Sequence, residues 1–531
     1  MSVPASPKIR RRTIAAIAAA TVATPLLLTA TATSASAKPD TSDQGDRLAR
    51  KLVEETTGEN AFRHMEVFQA IADRNGDNRA AGSKGYDQSA KYAGTLLRAA
   101  GYDVTYQEFD FTYRETVAEK LTMLSPEQRD IPISLMTYTR STPEGGIEGS
   151  VAEVPVDEDG TTGCTLDDYA AGDFTGKIAL IRRGGCTFAD KQKYAAEAGA
   201  IGAIIYNHSD GALNGTLGDP NVGVVPTGGI TKADGEALSD AVAAGEVTVI
   251  LEIIEYQDER STTNVIAETR GGDEDNVVMV GAHLDSVAGG PGINDNGSGS
   301  AGVLEAALQY AKVTKQWHHR TDHPKQPKNK VRFVLWGAEE LGLLGSEHYV
   351  ADLSEEEREG IALYLNFDMI ASPNYGLFVY DGDDSDGIGA PAGPEGSAQI
   401  EHGINEFIRS QGEEPRGTDF SGRSDYGPFI AEGIPSGGTF TGAEGVKTEE
   451  QAALWGGEAG KAYDECYHAA CDTIENVNTH AFDVNVGVIA DAVGRYAWDT
   501  SSLSEPVPSV PTGDGSDEGG GLHDHDHEVL S

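Results

Sequence analysis

A chain of 531 residues, 39% hydrophobic and 24% charged, has the composition of a globular protein and the length for two or three hydrophobic cores. Its 85 acidic residues against 40 basic ones give a net charge of −45, a surface that repels phosphate backbones and excludes nucleic acid as a partner. In so acidic a chain a lone carboxylate carries no information; only its position does.

Residues 1–37 read as an export signal. Lys8 and Arg10 to Arg12 form the basic region, residues 13–30 the apolar stretch, and Ala35-Ser36-Ala37 a small-residue cleavage site. An apolar run of about 18 residues can just span a bilayer, which leaves a membrane anchor as the alternative. The alanine-rich composition and the cleavage site instead predict a secreted, extracellular protein with no stable membrane anchor after cleavage. An oxidising compartment permits disulfides, and the four cysteines fall in two local pairs. The pairing that closes the shortest loops joins Cys164 to Cys186 and Cys466 to Cys471; a cysteine zinc site is the alternative.

Four regions follow the signal. Within residues 38–125, the segment 89–101 (SAKYAGTLLRAAG) has apolar residues at helical spacing and stops at Gly101, and 102–111 (YDVTYQEFDF) alternates as a strand. Residues 126–257 are Gly-rich with short β-like runs at 177–181, 201–206 and 247–254, and are expected to form a small inserted domain between strands that continue one sheet. In residues 258–500, strand-length apolar runs at 276–282 (NVVMVGA), 331–336 (VRFVLW) and 362–367 (ALYLNF) alternate with helical patterns such as 298–313. That alternation predicts an α/β fold, a mostly parallel central sheet with helices on both faces. Residues 501–531, ending in HDHDH, are too polar to bury a core and read as a disordered acidic tail.

Each of the three apolar strands runs directly into metal-type residues: the first into His283-Leu284-Asp285, the second into Glu339-Glu340, the third into Asp368. Ligand sites in open α/β sheets form outside the carboxyl ends of the strands, so the three converge on one crevice. Between the first two lies a glycine-rich loop, 289–299 (GGPGINDNGSG), holding Asp295; it lacks the lysine and the spacing of a nucleotide loop, and an acid there suits a metal. One histidine with several carboxylates and no cysteine suits zinc, and the excess of hard ligands favours two ions. Two such ions activate water for hydrolysis. A second nitrogen ligand is expected, and His468, inside the Cys466–Cys471 ring, is the best placed; His318, His319 and His323 lie in a basic loop and the histidines of residues 523–527 in the tail. Spacing alone does not decide which of Glu339 and Glu340 binds metal.

These segments, with Gly292-Ile293-Asn294-Asp295-Asn296-Gly297-Ser298-Gly299, Trp336-Gly337-Ala338-Glu339-Glu340-Leu341-Gly342, Asn366-Phe367-Asp368-Met369-Ile370, Gly422-Arg423-Ser424-Asp425 and Cys466-Tyr467-His468, resemble the secreted double-zinc aminopeptidases of the Streptomyces leucine aminopeptidase type. The similarity spans nearly all of residues 270–480. Residues 77–111 are similar to the N-terminal portion of multi-domain relatives, and 175–207 to the protease-associated domain inserted in them. The resemblance implies a zinc-peptidase fold and a hydrolase acting on peptides and proteins with a free N-terminus. It implies two Zn²⁺ per chain, one held by His283 and Asp368, the other by Glu340 and His468, with Asp295 bridging. Glu339 would then be the general base, Asp285 would accept a hydrogen bond from the His283 ring, Tyr467 would donate to the oxyanion and Arg423 would contact substrate oxygens. Met369 and Phe440 would line an apolar pocket favouring Leu, Phe or Met ends. Tyr426 departs from the pattern, where close relatives have histidine. Two other readings stand beside this one: a catalytically dead receptor or binding protein on the same scaffold, and a dimetal carboxypeptidase or dipeptidase.

Overall fold

A computed structural model describes residues 41–157, 160–209, 211–318 and 326–507. The export-signal segment, His319, His323 and tail residues 508–531 lie outside the described residues, and His318 is described only as the last residue of its helix.

The three apolar runs form the strands Asp273–His283, Asn329–Trp336 and Ile361–Phe367. Their side chains are almost wholly buried because helices cover both faces of the sheet, which is why they read as continuous apolar runs rather than alternating ones. With Ser436–Phe440 they make four parallel strands in the order Ser436–Phe440, Ile361–Phe367, Asp273–His283, Asn329–Trp336. The flanks are antiparallel: Phe378–Tyr380 pairs with Ser436–Phe440 on one side and Thr248–Glu268 with Asn329–Trp336 on the other. The sheet is thus mixed, parallel at its centre and again at one edge, where Phe378–Tyr380 pairs with Arg416–Thr418. One face is covered by the helices Gly58–Ala72, Lys84–Ala100, Gly299–His318 and Thr479–Tyr496; the other packs Tyr349, Val350 and Phe429 against Trp336 and Tyr364.

The helix predicted at 89–101 starts earlier, at Lys84, because Ser83 caps it by accepting a hydrogen bond from the Tyr86 amide. It ends as expected at Gly101, whose φ of 109° lies in the left-handed region. The strand expected at 102–111 is far longer, Asp103–Ser125, and pairs antiparallel with Thr248–Glu268 along nearly its whole length, from Asp103↔Glu268 to Ser125↔Thr248. This two-stranded ribbon leaves the main sheet and enters a second one, where Thr248–Glu268 pairs with Ile147–Glu153, followed in order by Ile178–Arg182, Gly202–Tyr206 and Thr227–Ile230. The second sheet has cores of its own, one around Leu180, Ile204 and Leu251 and one around Tyr169, Ile181 and Ile205. Both cysteine pairs are disulfides, Cys164–Cys186 and Cys466–Cys471. Residues Ser501–Ser504, expected in the tail, form a turn of 3-10 helix, with Leu503 packed on the main core. Among the described residues no helix is long and apolar enough to cross a membrane.

Candidate active site

The chain order of the parallel strands places a crevice at one end of the sheet. After Asp273–His283 the chain crosses to Asn329–Trp336 on one side, then returns to Ile361–Phe367 on the other, so the loops leaving these strands part above the first of them. His283 ends its strand, Glu339 and Glu340 follow Trp336, and Asp368 follows Phe367. The Ile293–Ser298 turn brings Asp295, and the disulfide loop brings His468.

The two carboxylate oxygens of Asp295 face different histidines: Oδ1 lies 3.2 Å from His283 Nε2 and Oδ2 lies 3.2 Å from His468 Nε2. Asp368 Oδ1 is 3.2 Å from His283 Nε2, and Glu340 Oε2 is 3.0 Å from His468 Nε2. Glu339 stands farther back, its Oε2 3.8 Å from His283 Nε2. The six side chains expected to meet do meet; donor atoms of five of them fall into two groups within cation reach, His283, Glu339 and Asp368, and His283, Asp295 and Glu340, and His468 adjoins the second through Asp295 and Glu340. Burial raises the pKa of Glu339 well above the carboxylate range and that of Glu340 to about 7. Burial acts against charge on the histidines too, yet Asp368 and Glu339 hold His283 well above its ordinary value, and Asp295 and Glu340 lift His468 to about 10. A divalent cation at such a cluster would balance its acids and displace protons from the imidazole nitrogens. The donor set, imidazole nitrogen and carboxylate oxygen without thiolate, fits zinc.

Supporting groups fix these side chains. Asp368 Oδ2 accepts from Ser424 Oγ at 2.6 Å, Ser424 Oγ accepts from Asn366 at 2.7 Å, and Asn366 accepts from Tyr364, which accepts from the Trp336 indole at 2.7 Å. Asp472, directly after the disulfide, accepts from the amides of Asn294 and Asp295 at 2.8 and 2.9 Å, and Asp464 accepts from Asn294 Nδ2 and the Cys466 amide. These two acids lock the disulfide loop to the Asp295 loop. Buried Arg79 donates to the carbonyls of Leu284, Pro291 and Gly292. Burial lowers its pKa to about 10, still protonated at neutral pH, so it is a fixed cation beneath the acidic cluster. The sequence carried no signal for Asp464, Asp472 or Arg79 beyond residue types common in this chain; Ser424 lies inside the Gly422-Arg423-Ser424-Asp425 motif, where the resemblance gave it no task.

Asp285 is arranged differently from expectation. The His283 ring nitrogen Nδ1 faces the Asp285 main-chain carbonyl at 3.2 Å, whereas the carboxylate Oδ1 is 3.7 Å away, beyond a hydrogen bond. The carboxylate instead accepts from the amides of Glu339 and Glu340 at 3.3 and 3.4 Å. A carboxylate at the amide end of the Glu339–Leu341 turn satisfies donors that a turn of this kind leaves open.

A cavity of about 410 Å³ opens over the cluster, lined on one side by Met369, Tyr380, Tyr426 and Phe440 and at the rim by Arg423 and Tyr467. Arg423 bonds Glu444 Oε1 at 2.7 Å and the Tyr467 hydroxyl at 3.2 Å. Burial raises the Tyr467 pKa, so its phenol stays a donor. Tyr426 is buried in the floor, where its hydroxyl accepts from the Gly422 amide at 3.1 Å. Four non-glycine residues at this site, Ala338, Leu343, Met369 and His468, hold φ between 46° and 60°, a conformation with a steric cost that tends to collect where function fixes the backbone.

This fold and crevice define a peptidase of the open α/β type with an inserted domain. The sequence profile of peptidase family M28 matches residues 264–493, and that of the PA domain matches 147–238. An aminopeptidase of Pseudomonas aeruginosa is 44% identical over 470 residues, which is 85% of this chain and 83% of the relative. A leucine aminopeptidase 2 of Trichophyton rubrum is 43% identical over 435 residues, 82% of this chain and 83% of the relative. Among solved structures, an aminopeptidase from Aneurinibacillus sp. strain AM-1 is 27% identical, covering 87% of this chain and 98% of the other with a TM-score of 0.65. A zinc aminopeptidase from Bacillus subtilis is also 27% identical, covering 82% and 94% with a TM-score of 0.53. The chain belongs to peptidase family M28.

Proposed function

We propose that this chain is a secreted zinc aminopeptidase that releases N-terminal residues from peptides and proteins, with Leu, Phe and Met ends preferred. The carrying observation is the Asp295 carboxylate with one oxygen toward His283 and the other toward His468, the placement a bridging ligand needs. In this reading His283 and Asp368 would hold one zinc and Glu340 and His468 the other, with Asp295 as the ligand they would share. When bound, zinc supplies Lewis acidity, polarising the scissile carbonyl and making water nucleophilic near neutral pH.

The chain's own groups divide the remaining work. Glu339, set back at 3.8 Å from His283, takes a proton from the attacking water and hands it to the leaving amine. Tyr467 donates its hydroxyl proton to the developing oxyanion, and Arg423 orients substrate oxygens at the rim. The cluster carboxylates read the substrate's free ammonium, which restricts hydrolysis to chain ends. Met369 and Phe440 contact the first side chain in the apolar half of the cavity. The domain limits of this reading are a signal at 1–37, an N-terminal peptidase portion at 38–125, the inserted domain at 126–257, the main portion at 258–500 and a tail at 501–531.

The test is a panel of N-blocked and C-blocked peptides with and without a chelator. Expected is cleavage of C-blocked peptides alone, abolished by the chelator and restored by zinc. Cleavage of N-blocked peptides would mean a carboxypeptidase, and zinc-loaded protein cleaving neither would mean a binding protein.

A further inference from the structure

The Glu339–Leu341 turn is held at both ends. At its amide end sits the Asp285 carboxylate. At its carbonyl end, the Leu341 oxygen accepts from Arg114 Nη2 at 3.4 Å. Arg114 lies on the ribbon strand Asp103–Ser125, whose Phe109, Phe111 and Tyr113 pack with Ala338, Leu341 and Leu344 beneath the turn. The guanidinium also lies over the Tyr138 ring, 4.6 Å from its centroid.

Tyr138 lies ahead of the matched PA segment, immediately after the strand Ser134–Thr137, which pairs with Thr227–Ile230 of the second sheet and so moves with the inserted domain. Its φ of 66° is costly for a bulky residue, and its amide donates to Glu255 Oε1 at 3.3 Å. Among the described residues the buried Arg114 Nε has no acceptor. With one long hydrogen bond and one unpartnered nitrogen, the guanidinium takes its alignment from the aromatic face below it.

We propose that Arg114 is a positioning residue for the Glu339–Leu341 turn, and that Tyr138 makes its alignment depend on how the inserted domain is seated. The proposal rests on the reading of Glu339 as the base. A shift of the turn by a fraction of an ångström moves the Glu339 carboxylate relative to the water it deprotonates and carries Glu340 with it, while His283, Asp295, Asp368 and His468, on other segments, stay where they are. The inserted domain then acts on turnover through two side chains, without contributing a group to the cavity.

Four variants of the full-length chain test this, Tyr138→Ala, Tyr138→Phe, Arg114→Met and Glu339→Gln. Assayed at saturating zinc, so that any weaker hold on the ion Glu340 would share does not contribute, Tyr138→Ala and Arg114→Met are expected to lower kcat by about three- to ten-fold with KM within about two-fold. Amide hydrogen exchange across residues 338–344 should quicken in both. Tyr138→Phe keeps the ring and should keep wild-type turnover and exchange. The proposal is overturned if Tyr138→Ala and Arg114→Met leave kcat and exchange unaltered, if the loss falls on KM alone, or if Tyr138→Phe loses as much as Tyr138→Ala. Wild-type turnover in Glu339→Gln would instead remove the assignment of the base, whatever the other three do.

Discussion

Ser424 shows how much of a metal centre lies outside the ligands. Its hydroxyl donates to Asp368 Oδ2 at 2.6 Å and fixes the rotation of a carboxylate whose other oxygen faces His283. Supporting partners of this sort are worth about 10- to 100-fold in metal affinity or activity. Ser424→Ala should therefore weaken zinc by about 10-fold in a chelator competition, and an unchanged affinity would show that Asp368 holds its orientation without help. The neighbouring acids Glu339 and Glu340 separate at the same scale. Glu339→Ala should lower turnover by at least about 10²-fold with zinc content retained, because general base catalysis contributes about 10²- to 10⁴-fold. Glu340→Ala should lose zinc as it loses activity. Zinc lost from Glu339→Ala and kept by Glu340→Ala would reverse the assignment.

At the scale of elements, the Cys466–Cys471 loop carries two site residues, Tyr467 and His468, and its bridge spans a sequence separation of only 5. Constraining so short a loop in the unfolded chain is worth about 2 kcal/mol. The bridge also holds site geometry, since Asp464 and Asp472 on either side of it clamp the Asp295 loop. Replacing both cysteines by serine should cost activity out of proportion to the fall in melting temperature; unaltered turnover would count against this. A second element has a pH dependence of its own. Glu401, on the helix Ser397–Ser410, is raised to about 7 mainly by burial, with Asp381 and Asp383 adding repulsion against the stabilising Gly382 amide. Its folded pKa lies above the unfolded value near 4.5, so the folded form binds the extra proton, and stability is full below pH 4.5 and falls as pH rises through 7. Glu401→Gln should melt higher than wild type at pH 8 and equally at pH 4.5. A constant difference across that range would remove Glu401 as the cause.

How far the sequence could be read depended on whether a feature was local. The three apolar strands and the residues that follow them were legible because burial on both faces writes a continuous apolar run, and carboxylates gathered at buried strand ends need a cation to balance them. The antiparallel flanks were not legible, since Thr248–Glu268 alternates toward two different sheets along one strand. The length of the ribbon was hidden by its exposed middle, Glu115 to Val117, which interrupts the alternation that marks Phe109, Phe111 and Tyr113. Asp285 could be placed near His283 but not turned toward the Glu339 amide, because that contact joins residues 54 apart in the chain.

Over the whole molecule, charge governs what reaches the cavity. A net charge of −45 on one chain makes a negative potential that extends about a Debye length, roughly 10 Å at 0.1 M salt and 3 Å at 1 M. Two bound zinc ions offset only a small part of it. Around the cavity the imbalance is local as well, since Glu347 and Asp419 join the cluster acids in its lining, and Arg423 is already paired with Glu444. Peptides carrying Lys beyond the first two residues should therefore be captured faster than matched peptides carrying Glu, by about 10-fold in kcat/KM at low ionic strength. Encounter is the step affected, so the gap should narrow steadily with added salt and nearly close at 1 M, while kcat for both peptides stays level. A preference for Lys that survives 1 M salt would locate the discrimination in a direct contact at Glu347 or Asp419 rather than in the field of the chain.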